Sequence, residues 1–347
     1  MNRIEIHTSQ GLSTIYVGEG MTRLSEYLPA QKRVVVITDS NLFAHYGSLL
    51  SAWPTIVTEP GETHKTMDTL RMIYGKLAEL NADRNTFLLG VGGGIVTDIT
   101  GMVAATWMRG VDFGFVSTTL LSQVDASVGG KNGVNFEGYK NMIGTFLQPR
   151  WVLCDIGSLS TLGDTEFRQG FAEIIKAAAI LDPALFAYLE THAEEALNRN
   201  PDVLRHIIGT AISLKAGVVQ RDEKESGERR ILNFGHTFGH ALEKLTKMPH
   251  GDAVSVGMVM AARVSAHLSL LSSGEAERLT RLISLYRLPV TLSLQMTDLT
   301  EIMLKDKKKE NDSLNLVLLH QIGTAGIHKI PVQELPSLFE NVVQSTL

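Results

Sequence analysis

The chain has 347 residues, about twice the roughly 150 residues of a typical domain, so two domains that share a cleft are expected. Its net charge of -5 and its pI near 6.1 provide no overall positive field, which argues against nucleic acid or an anionic membrane as the partner. The sequence contains no apolar signal segment and no run of about 18 apolar residues. We therefore predict a soluble cytoplasmic protein that acts on a small molecule.

The single cysteine, Cys154, excludes an internal disulfide framework and is compatible with a reducing compartment. Its neighbours at 151–155, Trp-Val-Leu-Cys-Asp, are typical of a buried strand. We therefore expect an unreactive thiol in the core.

The first half of the chain alternates strand-like and helix-like segments. Residues 2–7 and 13–17 alternate polar and apolar side chains around Gln10-Gly11, which predicts an antiparallel hairpin. Short apolar runs at 33–39, 86–94, 113–117 and 150–155 predict buried strands. The segment 65–80, between the first two of these runs, has apolar residues at helical spacing and predicts a helix. This alternation predicts βαβ units and a parallel sheet.

Beyond residue 157 the apolar spacing becomes helical, so we expect a mostly α-helical second domain. One strand-like exception, at 313–323, follows the lysine-rich stretch 305–309. The boundary near 157 lacks a linker composition, so the two domains should pack tightly.

A glycine-rich turn, GVGGGIVTDITG at 90–101, follows an apolar strand and precedes a predicted helix. Glycine lets backbone N–H groups approach a phosphate, and the helix N-terminus adds positive potential for a pyrophosphate. A turn without a ligand is the alternative. Asp98 either caps this helix or binds a cofactor hydroxyl or amide.

The segment 117–146 is polar, rich in glycine and long for a connection within a domain, so we expect a functional loop. It contains Asp125, Lys131, Lys140 and Asn141, and its lysines can neutralise a phosphate or carboxylate. Solvated loop lysines are the alternative.

Glu173 is embedded among apolar residues, with Lys176 three positions later on the same helical face. A buried carboxylate needs a partner, and a metal ion would provide one. A surface ion pair is the alternative.

His236 and His240 are spaced i, i+4, as two zinc ligands on one helical face often are, and His250 follows in a turn before another helix. Two imidazoles and one carboxylate would leave a divalent ion with open positions for catalysis. Structural histidines are the alternative. Additional positive charge in this half comes from Lys215, Arg229, Lys307, Lys308 and Lys309.

Seven segments, in order and over essentially the whole chain, resemble the 3-dehydroquinate synthases, a family of sugar phosphate cyclases. The segments are PGETHK (60–65), GGGIVTD (92–98), STTLLSQVDASVGGKNGVN (117–135), YKNMIG (139–144), GFAEIIK (170–176), RRILNFGHTFGHALE (229–243) and HGDAV (250–254).

This resemblance implies an α/β fold with a Rossmann-like NAD-binding domain at 1–157 and a helical metal- and substrate-binding domain at 158–347. It implies a homodimer that uses NAD and Zn2+ or Co2+ in the shikimate pathway, which leads to chorismate and the aromatic amino acids. The implied enzyme is a carbon–oxygen lyase that converts 3-deoxy-D-arabino-heptulosonate 7-phosphate to 3-dehydroquinate and phosphate. The implied reaction would proceed in this order: transient oxidation by NAD, phosphate elimination, reduction, ring opening and intramolecular aldol closure.

The resemblance also implies roles for individual residues. The metal ligands would be Glu173, His236 and His250, which differs from the i, i+4 histidine pair and leaves His240 to bind phosphate or transfer a proton. The catalytic and substrate-binding residues would be Asp125, Lys131, Asn141, Lys176, Lys215, Arg229, Asn233, His240 and Lys307. The NAD-binding residues would be Glu62, Lys65, Gly93, Gly94, Ile95, Val96, Thr97, Asp98, Thr118, Thr119, Lys131, Lys140, Ser158, Leu159, Ser160 and Thr161.

Three positions depart from the family pattern: Thr97 replaces a frequent glycine, Ser117 a usual proline, and Asp252 a usual glutamate. Thr97 also resembles cyclases that act on other heptulose phosphates, whereas Asn233 and His240 resemble the dehydroquinate-forming members.

Another sugar phosphate cyclase is therefore one alternative. A second is an NAD- and metal-dependent polyol dehydrogenase of the glycerol dehydrogenase type, which needs no basic anion site. The cluster of Lys131, Lys140, Lys176, Lys215 and Arg229 argues against it. A third, a nucleotide-binding sensor without catalysis, does not account for the predicted metal ligands.

Overall fold

The computed structural model describes residues 2–291 and 313–338, which form two compact units. The first unit contains the chain up to Gly163 and the segment Leu204–Lys224. The second contains Asp164–Val203 and the described residues from Glu225 onward. The first unit is an α/β structure with a mainly parallel sheet and the second is mostly helical, so the predicted fold class is confirmed.

The described strands and helices are numbered along the chain. The strands are β1 (Asn2–Thr8), β2 (Gly11–Val17), β3 (Arg33–Asp39), β4 (Thr55–Thr58), β5 (Thr86–Gly92), β6 (Phe113–Ser117), β7 (Lys131–Phe136), β8 (Tyr139–Phe146), β9 (Trp151–Cys154), β10 (Ser313–Gln321) and β11 (Thr324–Pro331). The helices are α1 (Ser40–Leu50), α2 (Met67–Glu79), α3 (Gly94–Thr106), α4 (Asp164–Leu181), α5 (Pro183–Thr191), α6 (Ala193–Leu197), α7 (Pro201–Arg221), α8 (His236–Thr246), α9 (His250–His267) and α10 (Ser273–Leu285).

Seven strands form the main sheet in the order β1-β2-β9-β6-β5-β3-β4. Within this sheet β1 and β2 pair antiparallel, as the predicted hairpin requires, and the remaining neighbours pair parallel. The predictions of strands β3, β5, β6 and β9 and of helix α2 are confirmed. Parallel strands end at a common edge of the sheet, which is where ligands bind in open α/β folds.

The central strands are apolar throughout because both faces of the sheet are covered. Val35, Val36 and Leu88 are fully buried, and Cys154 in β9 is buried as predicted. The edge strand β4 has only four residues and was not predicted, since so short a segment carries little periodicity.

The prediction of a long loop at 117–146 is wrong. One turn of π-helix at Ser122–Ala126 is followed by the antiparallel hairpin β7–β8. Its two turn residues, Glu137 and Gly138, both have positive φ, which is the geometry of a tight hairpin turn. Side chains of β8 are largely exposed, so the strand lacks the apolar alternation by which strands are recognised.

In the second unit, the strand predicted at 313–323 is present as β10 and pairs with β11, which was not predicted. The lysine-rich stretch 305–309, and with it Lys307, Lys308 and Lys309, lies outside the described residues. None of the helices in the described part of the chain combines the length and apolar character needed to cross a membrane.

Candidate active site

Three side chains from three helices of the second unit converge on one point. Glu173 comes from the middle of α4, and His236 and His250 are the first residues of α8 and α9. The Nε2 atoms of both histidines lie 3.5 Å from Oε1 of Glu173. One ligand atom from each residue lies within 4.8 Å of the others, which is the spacing that a shared cation requires.

Glycines allow these helices to approach one another. A Cβ on Gly257 of α9 would lie 2.1 Å from the carbonyl oxygen of Gly235, the residue before α8. A Cβ on Gly251 would lie 2.4 Å from the carbonyl oxygen of Gln169 in α4. Larger residues at these two positions would separate the helices that carry His236, His250 and Glu173.

The carboxylate of Glu173 is the group that most needs a cation. Glu173 is only 3% exposed, and neither of its oxygens has a proper hydrogen bond with a residue in the described ranges. The ammonium of Lys176 lies against Oε2 as an ion pair without hydrogen-bond geometry. A buried carboxylate that faces two imidazoles in this way fits a divalent metal ion.

The Nδ1 atoms of both histidines lie close to hydrogen-bond acceptors. Nδ1 of His236 lies 3.2 Å from the carbonyl oxygen of Phe234, and Nδ1 of His250 lies 3.1 Å from Oε1 of Glu243. A proton on each Nδ1 satisfies these contacts and leaves Nε2 as the nitrogen that would bind a metal ion beside Glu173.

Without a metal ion, Glu173, His236 and His250 differ from one another in their pKa values and therefore in their charges. Burial and the Lys176 ammonium lower the pKa of His236 to about 3. Burial would raise the pKa of Glu173, but Lys176 holds that pKa well below its usual value. Burial alone would lower the pKa of His250, but the carboxylates of Glu173 and Glu243 on either side of its ring outweigh burial and raise that pKa to about 10. A cation would therefore displace a proton from His250.

His240 lies one helical turn beyond His236, and their ring centroids are 5.4 Å apart. The three-residue cluster contains His236, His250 and Glu173, so the geometry favours this triad over the i, i+4 histidine pair. His240 lies beside the triad, with its ring centroid 6.4 Å from that of His250.

The glycine-rich turn of the first unit lies between β5 and α3. Gly93 occupies the position before the helix and Gly94 is its first residue, with no side chain capping the helix N-terminus. A Cβ on Gly93 would lie 2.9 Å from Cγ2 of Thr119, and one on Gly94 would lie 3.1 Å from Cβ of Ala126. The uncapped N–H groups at Gly94, Ile95 and Val96 suit the pyrophosphate of a dinucleotide.

Further predicted NAD-binding residues surround this turn. Thr118 donates its N–H to the carbonyl of Gly92 at 3.0 Å, and the Ser158 hydroxyl donates to the Thr118 carbonyl at 3.1 Å. Ser158 belongs to a short 3-10 helix, Ile156–Thr161, which also contains Leu159 and Ser160. The structure therefore brings the segments 92–98, 118–119 and 158–161 together.

Asp98 does not cap α3, because it lies in the second turn of that helix. It forms an ion pair with Lys65, whose ammonium also donates to Oδ1 of Asn141 at 2.6 Å. Burial raises the pKa of Asp98 to about 6, although Lys65 opposes this. The main chain of Asn141 donates to Asn135, whose amide donates to the carboxylate of Glu62 at 2.8 Å. Four residues that were predicted to bind NAD or substrate, namely Glu62, Lys65, Asp98 and Asn141, thus belong to one network of polar contacts.

Asp125 lies in the π-helical turn, a distortion that is frequent at functional sites. Lys215 of α7 forms an ion pair with its carboxylate and donates to its main-chain carbonyl at 2.8 Å. Lys131 and Lys140 are exposed on β7 and β8. The first unit therefore contains three of the predicted basic groups, of which Lys215 is held by Asp125.

A short 3-10 helix, Glu228–Asn233, leads into α8. Arg229 is buried within it, and the Asn233 amide donates to Glu225 at 2.6 Å. Lys307 is outside the described residues, so its predicted role is not examined by the structure.

Two departures from the family pattern fit their surroundings. The Thr97 hydroxyl donates to the carbonyl of Gly94 at 3.0 Å within α3. The Ser117 hydroxyl donates to that of Ser122 at 2.5 Å and links the end of β6 to the π-helical turn. Asp252, the third, accepts a 3.4 Å hydrogen bond from Gln169.

Sequence reasoning did not find Glu243, Asn135 or Glu225, each of which contacts a predicted site residue. The available signal for Glu243 was its position on α8, three residues after His240 and among apolar residues. A carboxylate on the buried face of a helix needs a partner.

Family models match two consecutive parts of the chain. The 3-dehydroquinate synthase N-terminal model matches residues 55–169, and the 3-dehydroquinate synthase C-terminal model matches residues 170–309. A 3-dehydroquinate synthase from Coxiella burnetii is 40% identical over 355 aligned residues, which cover 98% of this chain and 99% of the relative.

Two solved structures share the fold. A 2-epi-5-epi-valiolone synthase from Streptomyces hygroscopicus, with NAD+ and Zn2+ bound, has a TM-score of 0.85 and 26% identity, covering 95% of this chain and 96% of its own. A 2-deoxy-scyllo-inosose synthase complexed with carbaglucose-6-phosphate, NAD+ and Co2+ has a TM-score of 0.88 and 24% identity, with 98% and 99% covered.

The fold is that of the sugar phosphate cyclases. Within that class the chain belongs to the 3-dehydroquinate synthase family, as the two family models and the Coxiella relative show. The family predicted from the sequence is confirmed.

Proposed function

We propose that this chain is a 3-dehydroquinate synthase, a lyase that converts 3-deoxy-D-arabino-heptulosonate 7-phosphate to 3-dehydroquinate and phosphate. The observation that carries the proposal is the convergence of Glu173, His236 and His250 in a chain of this family. The cofactors are NAD and a divalent metal, Zn2+ or Co2+; the two solved cyclases contain NAD+ with Zn2+ and NAD+ with Co2+.

Glu173, His236 and His250 are the proposed metal ligands. When bound, the metal would polarise substrate hydroxyls and the carbonyl formed from one of them. Three protein ligands leave coordination positions open for two adjacent oxygens of a substrate. The triad would therefore hold the reacting part of the sugar in one orientation, which is a large part of catalysis in a multistep reaction.

Gly93, Gly94 and the N-terminus of α3 would hold the NAD pyrophosphate, and Asp98 and Lys65 would contact its polar groups. When bound, NAD would accept a hydride and later return it. Thr97, Thr118, Thr119, Lys131, Lys140 and the segment 158–161 complete the proposed cofactor site.

Recognition of an anionic substrate is assigned to basic and amide side chains. The proposed residues are Lys131, Asn141, Lys176, Lys215 and Arg229. Cationic donors stabilise the charge that develops on a departing phosphate. His240, beside the metal triad, is assigned to proton transfer with Asn233 and Asp125 as substrate-orienting groups. Lys307 keeps the same proposed role from the family resemblance.

A polyol dehydrogenase is the main alternative from a different reaction class. It would accumulate NADH, whereas the proposed reaction returns the hydride in each cycle. Other sugar phosphate cyclases would also release phosphate without NADH, but from a different heptulose phosphate.

We propose an NAD-binding domain at 1–157 and a metal- and substrate-binding domain at 158–347, a homodimer, a cytoplasmic location and a place in the shikimate pathway. The single free thiol of Cys154 is compatible with a reducing compartment. Light scattering of the purified protein tests the dimer.

Phosphorus and proton NMR test the function directly. Purified protein is mixed with Zn2+, substoichiometric NAD and 3-deoxy-D-arabino-heptulosonate 7-phosphate. Equal amounts of phosphate and dehydroquinate without NADH are expected. If 3-deoxy-D-arabino-heptulosonate 7-phosphate does not react, the proposed substrate is wrong. Assays with other heptulose phosphates and with simple polyols then distinguish another sugar phosphate cyclase from a polyol dehydrogenase.

A further inference from the structure

Glu243 is a carboxylate on the buried side of α8. The residue is 8% exposed, and its neighbours Phe238, Ala241 and Leu242 are buried with it. A carboxylate loses its hydration in such surroundings, and this loss destabilises the folded protein unless the carboxylate forms a hydrogen bond or an ion pair.

That interaction includes His250. Oε1 of Glu243 lies 3.1 Å from Nδ1 of His250, and Nε2 of the same ring lies 3.5 Å from Oε1 of Glu173. The imidazole therefore lies between two buried carboxylates. The Nδ1–H group donates to Glu243, and the Nε2 side faces the proposed metal position.

The second histidine of the triad is oriented by different means. Nδ1 of His236 faces the main-chain carbonyl of Phe234 at 3.2 Å, a contact that side-chain replacement cannot remove. The orientation of His250 relies on a side chain. Substitution of Glu243 consequently changes one ligand of the triad and leaves the support of the other intact.

We propose that Glu243 is a positioning residue that fixes the ring orientation and tautomer of His250 and strengthens metal binding by the triad. The proposal rests on the proposed metal site and adds a residue to it. Glu243 acts in two ways: its oxygen accepts the Nδ1–H bond, and its negative charge increases the attraction of the site for a divalent cation.

These two contributions can be separated by substitution. Glu243→Gln keeps an oxygen acceptor of similar position but removes the charge. Glu243→Ala removes both. Glu277→Gln is a matched control, because Glu277 is an exposed carboxylate of α10 in the same unit, paired with Arg281 at 3.8 Å.

The affinities of full-length wild type and variants for Co2+ and Zn2+ are measured by competition with a chelator of known affinity, at one fixed pH. The Co2+ absorption spectrum reports ligand geometry, and the thermal midpoint of each metal-free protein reports folding. Glu243→Ala should weaken metal binding by about 10- to 100-fold and alter the Co2+ spectrum. Glu243→Gln should weaken binding less, with a nearly unchanged spectrum, and Glu277→Gln should match wild type.

Wild-type metal affinity in Glu243→Ala would overturn the proposal. If Glu243→Ala does not fold, Glu243→Gln decides: weaker binding at an unchanged thermal midpoint supports the proposal, and wild-type affinity overturns it. Failure of the wild type itself to bind Co2+ or Zn2+ would instead reject the metal site of the proposed function. The two failures are therefore distinguishable.

Discussion

Gly257 packs against the carbonyl of Gly235 so closely that a Cβ would lie 2.1 Å from that oxygen. Gly257→Ala should therefore force α8 and α9 apart and lower the free energy of unfolding by about 1–3 kcal/mol. Urea denaturation measures this change. Because His236 and His250 begin the same two helices, metal affinity should fall as well.

Gly274→Ala is the control for that experiment, since a Cβ on Gly274 would meet no atom within 4 Å. Its stability should equal or slightly exceed that of wild type. Wild-type stability in Gly257→Ala would show that the two helices tolerate a wider separation.

Replacement of Glu173 should destabilise the metal-free protein, because it leaves the buried ammonium of Lys176 without its carboxylate partner. A loss of about 3–5 kcal/mol is expected for Glu173→Ala. The double variant Glu173→Ala/Lys176→Met should recover part of this loss, since it removes the unpaired charge. Chemical denaturation of both proteins without metal tests this, and a double variant no more stable than the single one would contradict it.

Lys65→Met should raise the pKa of Asp98 above its value of about 6, because burial then acts without the opposing ammonium. Carbon-13 NMR titration of labelled aspartates measures this pKa. In the wild type, a folded-state pKa above the usual 3.8 means that the native state binds more protons between about pH 4 and pH 6. The contribution of Asp98 to the free energy of unfolding should therefore decrease as pH rises through that window.

Lys76→Met is the control, since Lys76 is an exposed residue that pairs with Glu79 and not with Asp98. It should leave the Asp98 titration unchanged. An equal shift in both variants would mean that the effect is a general change in protein charge.

Cys154 should not react with a thiol reagent in the folded protein, because it is fully buried and burial raises the pKa of its thiol. Ellman's reagent measures the reaction rate, which should follow global unfolding. Ser51→Cys, at an exposed position, provides a reactive comparison in the same chain. Rapid modification of wild type would contradict the burial of β9.

The main sheet was predictable because its strands are continuous apolar runs, as in 33–39 and 86–92, and such runs are typical of strands covered on both faces. The hairpin β7–β8 was not predicted, because its exposed side chains lack apolar periodicity and its signal is confined to the turn at Glu137-Gly138. Local sequence patterns therefore identify strands whose side chains are apolar and buried, and they miss strands such as β8 whose side chains are largely exposed.

The convergence of Glu173, His236 and His250 was predicted by family resemblance, whereas spacing alone favoured His236 with His240. Helical spacing describes neighbours on one helix and cannot describe residues that meet from α4, α8 and α9. Glu243 was missed for the same reason, because its contact with His250 depends on how α8 packs against α9.

One ammonium, that of Lys65, binds both the Asp98 carboxylate and the Asn141 amide. A ligand that repositions either group therefore changes the free energy of the other. Thermodynamic reciprocity then requires that if the dinucleotide acts on Asp98 and the sugar phosphate on Asn141, each ligand alters the affinity of the other by the same factor. Lys65 would thus be a point of energetic coupling between cofactor and substrate, and its replacement would make their binding more nearly independent.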